Sequence, residues 1–247
     1  MVIEPSTDAD LHQIFAWLED EATHDRNTFH SNREMIAEGH REGELHVLRD
    51  GEDVIAFAHG APGIINILET RPGMRGRGHG RRLARFCIDR AAEADMAVIE
   101  GECAPATSLP FWQAIGFERI PPRYGSSPWV MLRVAKTHVL PEGDPSAVVV
   151  RTFDEEAMYR AATAAIGEYR AHAIRDTAGI IHLPERIVLH EASLANGREL
   201  VLEIEVDGQV LAREKAKRAK LAAMGVRHDK FRQYYLDRID PKGDAED

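Results

Sequence analysis

The sequence predicts a mixed α/β (α+β) protein with two domains, and three observations support this prediction. Apolar runs of strand length alternate with helical patterns over residues 1–135. The chain has 247 residues, 44% of them hydrophobic, which is enough for two ordinary domains. The segment 141–145 is rich in Pro and Gly. It places a first domain at 1–135, a linker at 136–146 and a second domain at 147–247.

The elements of the first domain follow from its hydrophobic pattern. Ser6-Thr7-Asp8 supplies an N-cap for an amphipathic helix, and Asp50-Gly51 is typical of a hairpin turn. The run 64–68 is apolar except for Asn66, so it is predicted to be a strand covered on both faces. Further strands are predicted over 2–6, 44–48, 54–59, 96–103, 117–120 and 128–134, and further helices over 31–42, 79–93 and before Gly116.

The second domain is predicted to be a smaller α+β domain, and its role cannot be read from the sequence. A strand over 147–153 precedes an Ala-rich segment that predicts a long helix over 154–176. Strands are expected over 186–190 and 199–206. A basic helix is expected over 213–220, and helical spacing recurs in 228–239.

Composition excludes several classes of protein. The net charge of −10 argues against a chain that coats nucleic acid or anionic lipid, and the two cysteines exclude a disulfide scaffold. No apolar run is long enough for a membrane span and no signal peptide is apparent, so a cytoplasmic protein is expected. The twelve histidines show no ligand spacing, so no metal is expected. The sequence leaves a homodimer open.

The segment Arg75-Gly76-Arg77-Gly78-His79-Gly80 carries the clearest functional signal. It follows a predicted buried strand and opens a helix, so the first amides of the helix have no intrahelical acceptor. Glycines allow a phosphate to approach the backbone closely. The spacing fits neither the dinucleotide-binding G-x-G-x-x-G nor a Walker A loop. It fits R-x-x-G-x-G.

With this motif, residues 2–134 resemble the GNAT family of N-acetyltransferases. A second segment, Phe111-Trp112-Gln113-Ala114-Ile115-Gly116-Phe117, is similar to the F-Y-x-x-x-G-F segment of that family, and the order of elements matches. The resemblance implies a mostly antiparallel central sheet whose fourth and fifth strands splay apart. It also implies acetyl-CoA as a co-substrate, with its pyrophosphate on the amides of residues 75–81. The residues expected to bind it are Leu68, Glu69, Thr70, Arg75, Gly76, Arg77, Gly78, His79, Gly80, Arg81, Phe111 and Trp112.

The sequence departs from the family at the positions of its acid–base residues. Trp112 stands where a tyrosine acid is frequent, Pro105 where many members have Asn, and Ile64 where some have a glutamate base. The candidates for these roles are Asn66, Glu102 and Tyr124, the only tyrosine of the first domain. Glu100, His59 and Cys103 are alternatives, and a structural role is favoured for His59 and Cys103.

Three functions follow from these patterns. The first is direct transfer of an acetyl group from acetyl-CoA to a primary amine, on a small molecule or on a protein lysine or N-terminus. The second is a non-catalytic acyl-CoA sensor that acts through the C-terminal domain. The third is a nucleic-acid-binding protein that uses the basic helix 213–220, although a solvated helix is the simpler interpretation.

Overall fold

The chain folds into two units, Met1–Val134 and Ala135–Asp247. The computed structural model describes residues 1–24, 28–122, 125–160, 163–189, 199–229 and 233–243. Within these ranges, no helix has the length and apolar character needed to cross a bilayer.

The first half of the N-terminal unit packs two helices on an antiparallel sheet. Thr7 begins the first helix, and its amide and hydroxyl both donate to Asp10 Oδ2, at 2.6 and 2.7 Å. The fully buried side chains of Ile14, Leu18 and Phe57 form the core between this helix and the sheet. The elements are β1 (Val2–Pro5), α1 (Asp8–His24), a 3-10 turn (Phe29–Asn32), α2 (Arg33–Arg41), β2 (Leu45–Asp50) and β3 (Asp53–His59).

The second half of the unit adds two short consecutive strands, two helices and three further strands. Helix α3 buries Leu83, Ala84, Cys87 and Ala91, which lie on one face. The elements are β4 (Ile64–Ile65), β5 (Ile67–Thr70), α3 (His79–Glu93), β6 (Val98–Glu102), α4 (Leu109–Gln113), β7 (Glu118–Ile120) and β8 (Trp129–Arg133).

The predicted strand over 64–68 is broken at Asn66. On one side of the break β4 pairs with β6 in parallel, whereas on the other side β5 pairs with β3 antiparallel. The strands therefore form two sheets, β1-β2-β3-β5 and β4-β6-β8-β7. Asn66 is exposed, so the prediction of one continuous strand covered on both faces is wrong at this residue. The predicted fourth strand, 64–68, corresponds to β4 and β5, and the predicted fifth strand, 96–103, corresponds to β6. The predicted splay between them is confirmed, and it opens at Asn66.

The C-terminal unit is β-rich. Among the residues that the structure describes, seven strands form one antiparallel sheet in the order β13-β12-β9-β10-β11-β15-β14. A cluster that includes Val150, Leu183, Leu202 and Ile204 forms its core. The strands are β9 (Asp144–Phe153), β10 (Gly167–Arg175), β11 (Ile181–Leu189), β12 (Val201–Val206), β13 (Gln209–Lys215), β14 (Arg227–His228) and β15 (Tyr234–Ile239), and the helix α5 spans Ala219–Ala223.

Three helix predictions in this unit are wrong. Within the predicted helix 154–176, Glu155–Met158 form a 3-10 turn and Gly167–Arg175 form β10, where pairing with β9 overrides the helix propensity of alanine. Residues 213–215 end β13, and α5 begins only at Ala219. Residues 234–239 form β15, paired with β11. In β10 the side chains of Glu168, Arg170 and His172 are exposed, and this alternation is the strand signal that the alanines obscure.

Residues at both ends of the predicted linker, 136–146, pair with the C-terminal unit. The amide of Arg186 donates to Lys136 O at 2.9 Å, and that of His138 donates to Pro184 O at 2.8 Å, so residues 136–138 belong to the C-terminal unit. Strand β9 begins at Asp144, within the Pro- and Gly-rich segment. A Cβ on Gly143 would lie 2.1 Å from Arg175 O, so this glycine allows close packing of the backbones.

Two buried histidines of the first unit, His46 and His59, have lowered pKa values. Burial lowers the pKa of His46 below 6.5, and Arg90 adds to this effect. Burial also lowers the pKa of His59, against the opposing effect of nearby glutamates. The unfolded chain therefore binds more protons than the folded chain once the pH falls below about 6.5. Stability decreases from there down to the folded pKa values.

We expect the thermal transition of the first unit to shift downwards between about pH 7.5 and pH 5.5 in scanning calorimetry. The double variant His46→Gln/His59→Gln should show a weaker pH dependence, whereas an unchanged slope would contradict the assignment. The second unit is an internal reference. The amide of Ala147 donates to Asp207 and lowers the pKa of that carboxyl below 3.8. The contribution of Asp207 to the stability of the second unit is therefore lost only in stronger acid.

Candidate functional site

A cavity of about 830 Å³ opens in the N-terminal unit where the two sheets separate. Its wall combines the end of α1, the strand break, the Gly-rich turn, the end of β6 and the start of α4. The lining residues are Glu21, Phe29, Ile65, Asn66, Leu68, Glu69, Thr70, Arg75, Gly76, Gly78, His79, Gly80, Arg81, Glu102, Ala104, Pro105, Thr107, Ser108, Phe111 and Trp112. A cavity of this size accommodates a cofactor-sized ligand.

The Gly-rich turn presents bare backbone to the cavity. Gly76 and Gly78 have φ angles of 78° and 85°, and a Cβ on either residue would meet no atom within 4 Å. Gly78 is the N-cap of α3 and makes no side-chain capping bond. The first intrahelical bond runs from Arg82 N to Gly78 O at 3.1 Å. The amides of residues 79–81 therefore have no intrahelical acceptor and can bind an anion.

The outer edge of β5 faces the cavity and has no strand partner among the described residues. Arg71 N donates to Ile55 O at 2.9 Å, and hydrogen-bonded pairs alternate along an antiparallel ladder. The amides of Leu68 and Thr70 must therefore point away from β3. Thr70 N donates to Glu69 Oε1 at 2.7 Å, which satisfies one of these amides locally.

Arg75 is held by carboxylates rather than free in solvent. Its guanidinium donates to Glu21 Oε1 at 2.5 Å, to Glu69 Oε1 at 3.2 Å and to Thr70 O at 3.0 Å. Burial raises the pKa of Glu69, and the positive charge of Arg75 opposes this shift. The interaction joins α1 to the Gly-rich turn in the cavity wall. The wall also contains residues outside the predicted set: Glu21, Phe29, Ile65, Ala104, Pro105, Thr107 and Ser108.

Most of the residues predicted to bind the cofactor line the cavity. The cavity lining includes every residue of the predicted cofactor set except Arg77, which is exposed outside it. Phe111 lies against Gly80, where a Cβ would meet its ring at 3.6 Å. Trp112 is 5% exposed and packs edge-to-face on Phe111 and Phe117, at 5.0 and 5.1 Å between centroids. Trp112 therefore contributes mainly packing to the wall.

Residues 11–117 match the model of a known family, described as the acetyltransferase (GNAT) family. The N-terminal unit contains a GNAT acetyltransferase domain. The resemblance carried by the Gly-rich turn is thereby confirmed. No curated protein matches the chain.

Several solved structures are similar to the part of the chain that holds the GNAT domain. One is an acetyltransferase of the GNAT family from Staphylococcus aureus Mu50, with 10% identity and a TM-score of 0.45 over 54% of this chain and 98% of that one. Another is yncA from Salmonella typhimurium with its cofactor acetyl-CoA, with 18% identity and a TM-score of 0.43 over 57% and 97%. A third is the ribosomal-protein-alanine N-acetyltransferase from Brucella melitensis, with 21% identity and a TM-score of 0.40 over 53% and 97%.

The GNAT domain brings two of the three predicted catalytic candidates to the cavity. Asn66 and Glu102 are both exposed in its wall, at the strand break and at the end of β6 respectively. Tyr124 lies outside the described residues. Glu100 precedes Glu102 by two positions in β6 but is buried, 1% exposed, and does not line the cavity.

The remaining alternatives occupy structural positions in the GNAT domain. His59 is buried and packs on α2, where a Cβ on Gly39 would lie 2.2 Å from His59 Cδ2. This contact explains the glycine, and His59 is not part of the cavity wall. Cys103 is buried as a free cysteine, and burial raises the pKa of its thiol, which disfavours the nucleophilic thiolate.

Three cations of residues 209–238 are paired with carboxylates in the C-terminal unit. Arg213 Nη1 lies 3.5 Å from Glu203 Oε2, and Lys215 Nζ lies 2.9 Å from Glu199 Oε2. Lys217 also pairs with Glu199. Residues 213–215 are a strand and these three cations face carboxylates, which weakens the argument for a basic helix that binds nucleic acid.

Proposed function

We propose that the GNAT domain transfers the acetyl group of acetyl-CoA to a primary amine, by direct displacement. The observation that carries this proposal is one continuous cavity. It extends from the uncapped start of α3 to the strand break at Asn66 and the end of β6 at Glu102. An anion-binding turn and two polar side chains in the same cavity are what an acyl transfer from an anionic carrier requires.

The residues of the turn fit the anionic part of acetyl-CoA. The amides of residues 79–81 lack acceptors, and the glycines leave open space in front of them. The outer edge of β5 offers the amide of Leu68 to an extended amide-containing chain. When bound, acetyl-CoA supplies an acetyl thioester.

Glu102 and Asn66 are the groups to which we assign the chemistry. An amine is a nucleophile only when neutral, so a carboxylate at the cavity wall serves to take a proton from the acceptor's ammonium, directly or through water. The Glu102 carboxylate has the exposure for that role. The amide of Asn66 can donate a hydrogen bond to the carbonyl oxygen of the acyl group, where negative charge develops. Tyr124 stays the predicted proton donor to the departing thiolate.

The acceptor is proposed to be a cationic amine, either a small molecule or a protein lysine or N-terminus. Residues 1–135 contain 14 Lys/Arg and 21 Asp/Glu, so their field attracts cations. Three carboxylates, those of Glu21, Glu69 and Glu102, stand in the cavity wall. Arg75 pairs with the first two, which leaves Glu102 to meet the amine.

The experiment is a CoA-release assay with acetyl-CoA and a panel of polyamines, aminoglycosides and lysine peptides, with acetyl-CoA binding measured separately by calorimetry. We expect binding, and release that depends on the amine. Binding without release on any acceptor would instead favour a non-catalytic acyl-CoA sensor. Trp112, whose indole replaces a proton-donating phenol, is the observation that supports this second candidate.

A further inference from the structure

A groove of about 570 Å³ lies along α1 and is separate from the larger cavity of about 830 Å³, because the two share no lining residue. Gln13, Trp17 and Asp20 line this groove, which we call the α1 groove, and their spacing places them on one face of the helix. The start of β3 and the turn after β5 form the opposite wall, with Asp53 and Arg71. A volume of this size accommodates a small-molecule ligand.

The walls of the α1 groove are held together by hydrogen bonds. Gln13 Nε2 donates to Glu52 O at 2.9 Å, and the amide of Val54 donates to Gln13 Oε1 at 3.1 Å. Trp17 is 8% exposed and packs edge-to-face on Phe57, with 5.9 Å between the ring centroids. The groove therefore has a fixed shape and an apolar surface between its two ends, on which a methylene chain can lie.

Charged side chains stand at the two ends of the α1 groove. Asp53 lies at the end near Gln13, because Gln13 binds the residues on either side of it. Arg71 Nη1 is 3.9 Å from Asp53 Oδ1, longer than the roughly 2.7–2.9 Å of a charge-assisted hydrogen bond. The two side chains are 48% and 73% exposed, so both can bind a ligand. Asp20 lies seven residues after Gln13, about 10 Å along the helix axis. It is exposed, and its carboxylate has no partner among the described residues.

We propose that the α1 groove binds an α-amino acid with a basic side chain, such as lysine. Its carboxylate binds Arg71, its α-ammonium binds Asp53, and its side-chain cation reaches Asp20 at the other end. Its methylene chain lies on the apolar surface between them. Two carboxylates and one guanidinium leave one negative charge in the groove, which complements the single positive net charge of lysine.

The α1 groove and the larger cavity have two structural elements in common. Asp20 precedes Glu21 on α1, and Arg71 lies four residues before Arg75. Glu21 and Arg75 form the 2.5 Å ion pair in the wall of the larger cavity. An amino acid that bridges Asp20 and Arg71 holds α1 against the segment that leads into the Gly-rich turn. It is therefore an effector and not an acceptor, and it tightens CoA binding as CoA tightens its own. The effector role rests on the proposed function, whereas the binding site does not.

Isothermal titration calorimetry with lysine, norleucine and cadaverine tests the site. Norleucine lacks the side-chain ammonium and cadaverine lacks the carboxylate, so each should bind the wild type with a Kd about tenfold above that of lysine. Asp20→Asn should bind lysine and norleucine equally, and Arg71→Gln should bind lysine and cadaverine equally, since each variant removes the partner of the missing group. Equal Kd values for the three ligands in the wild type would overturn the proposal, and so would the absence of lysine binding.

Glu19→Gln is the matched control, because Glu19 is an exposed neighbour of Asp20 on α1 but does not line the α1 groove. It should leave the Kd for lysine unchanged. A loss equal to that of Asp20→Asn would show a long-range effect of charge and overturn the assignment. Saturating lysine should lower the Kd for CoA severalfold, and an unchanged value would overturn the effector role. A wild-type protein that binds lysine but no CoA would overturn the proposed function and leave the lysine site standing.

Discussion

Replacement of Gly78 by valine is expected to reduce the affinity for CoA on the order of a hundredfold. Gly78 has a φ of 85°, which costs an L-residue about 1–2 kcal/mol and a β-branched residue more. The added side chain would also extend into the open space in front of the α3 amides, where a phosphate would bind. Calorimetric titration with CoA measures this loss.

Gly43 offers a matched control for the backbone effect. It too has a positive φ, 72°, with no atom within 4 Å of a Cβ, but it does not line the cavity. Gly43→Val should lower the melting temperature by a similar few degrees and leave the affinity for CoA unchanged. If both variants lose affinity equally, the effect is general destabilisation. If neither variant loses affinity for CoA, the Gly-rich turn is not the phosphate site.

The Gly-rich turn could be predicted from the sequence because its determinants are local. Glycine spacing, the preceding apolar run and the helical period after His79 all lie within about thirty residues. The ends of α3 agree with the predicted 79–93. The contact between Arg75 and Glu21 could not be predicted, because the two residues are 54 positions apart and nothing in the pattern of α1 distinguishes Glu21.

The strand break at Asn66 shows a different limit. A single amide in an apolar run reads as a buried polar residue, whereas the structure exposes it because the chain changes partners, from β6 to β3, at this position. The exposure of Asn66 depends on pairing between strands that are distant in sequence. The hydrophobic pattern indicates which residues are buried, but it does not indicate which strands pair with each other. Pairing between distant strands also explains why the alanine-containing segment 167–175 is a strand and not a helix, because it pairs with β9.

Replacement of Glu102 by glutamine is expected to lower kcat by about a hundredfold or more near neutral pH, the usual contribution of a general base. The glutamine keeps the shape of the side chain but cannot accept a proton from the ammonium of the acceptor. The KM for acetyl-CoA should be unchanged, because Glu102 lies at the end of β6 and is not part of the Gly-rich turn. Steady-state kinetics with the most active amine of the panel measure both parameters.

The pH dependence separates proton transfer from simple binding of the cation. As the pH rises towards about 10, the acceptor amine loses its proton to solvent, so the difference between Glu102→Gln and the wild type should narrow. A raised KM for the amine with unchanged kcat would instead show that Glu102 only binds the ammonium. Glu118→Gln is the control, because Glu118 pairs with Arg133 at 2.9 Å on the surface, outside the cavity wall. Since exposed ion pairs contribute little, its kinetics should equal those of the wild type. We therefore expect Glu102 to be needed as a proton acceptor only at pH values at which the amine is charged. An anionic domain that attracts a cationic amine binds it in this charged form near neutral pH.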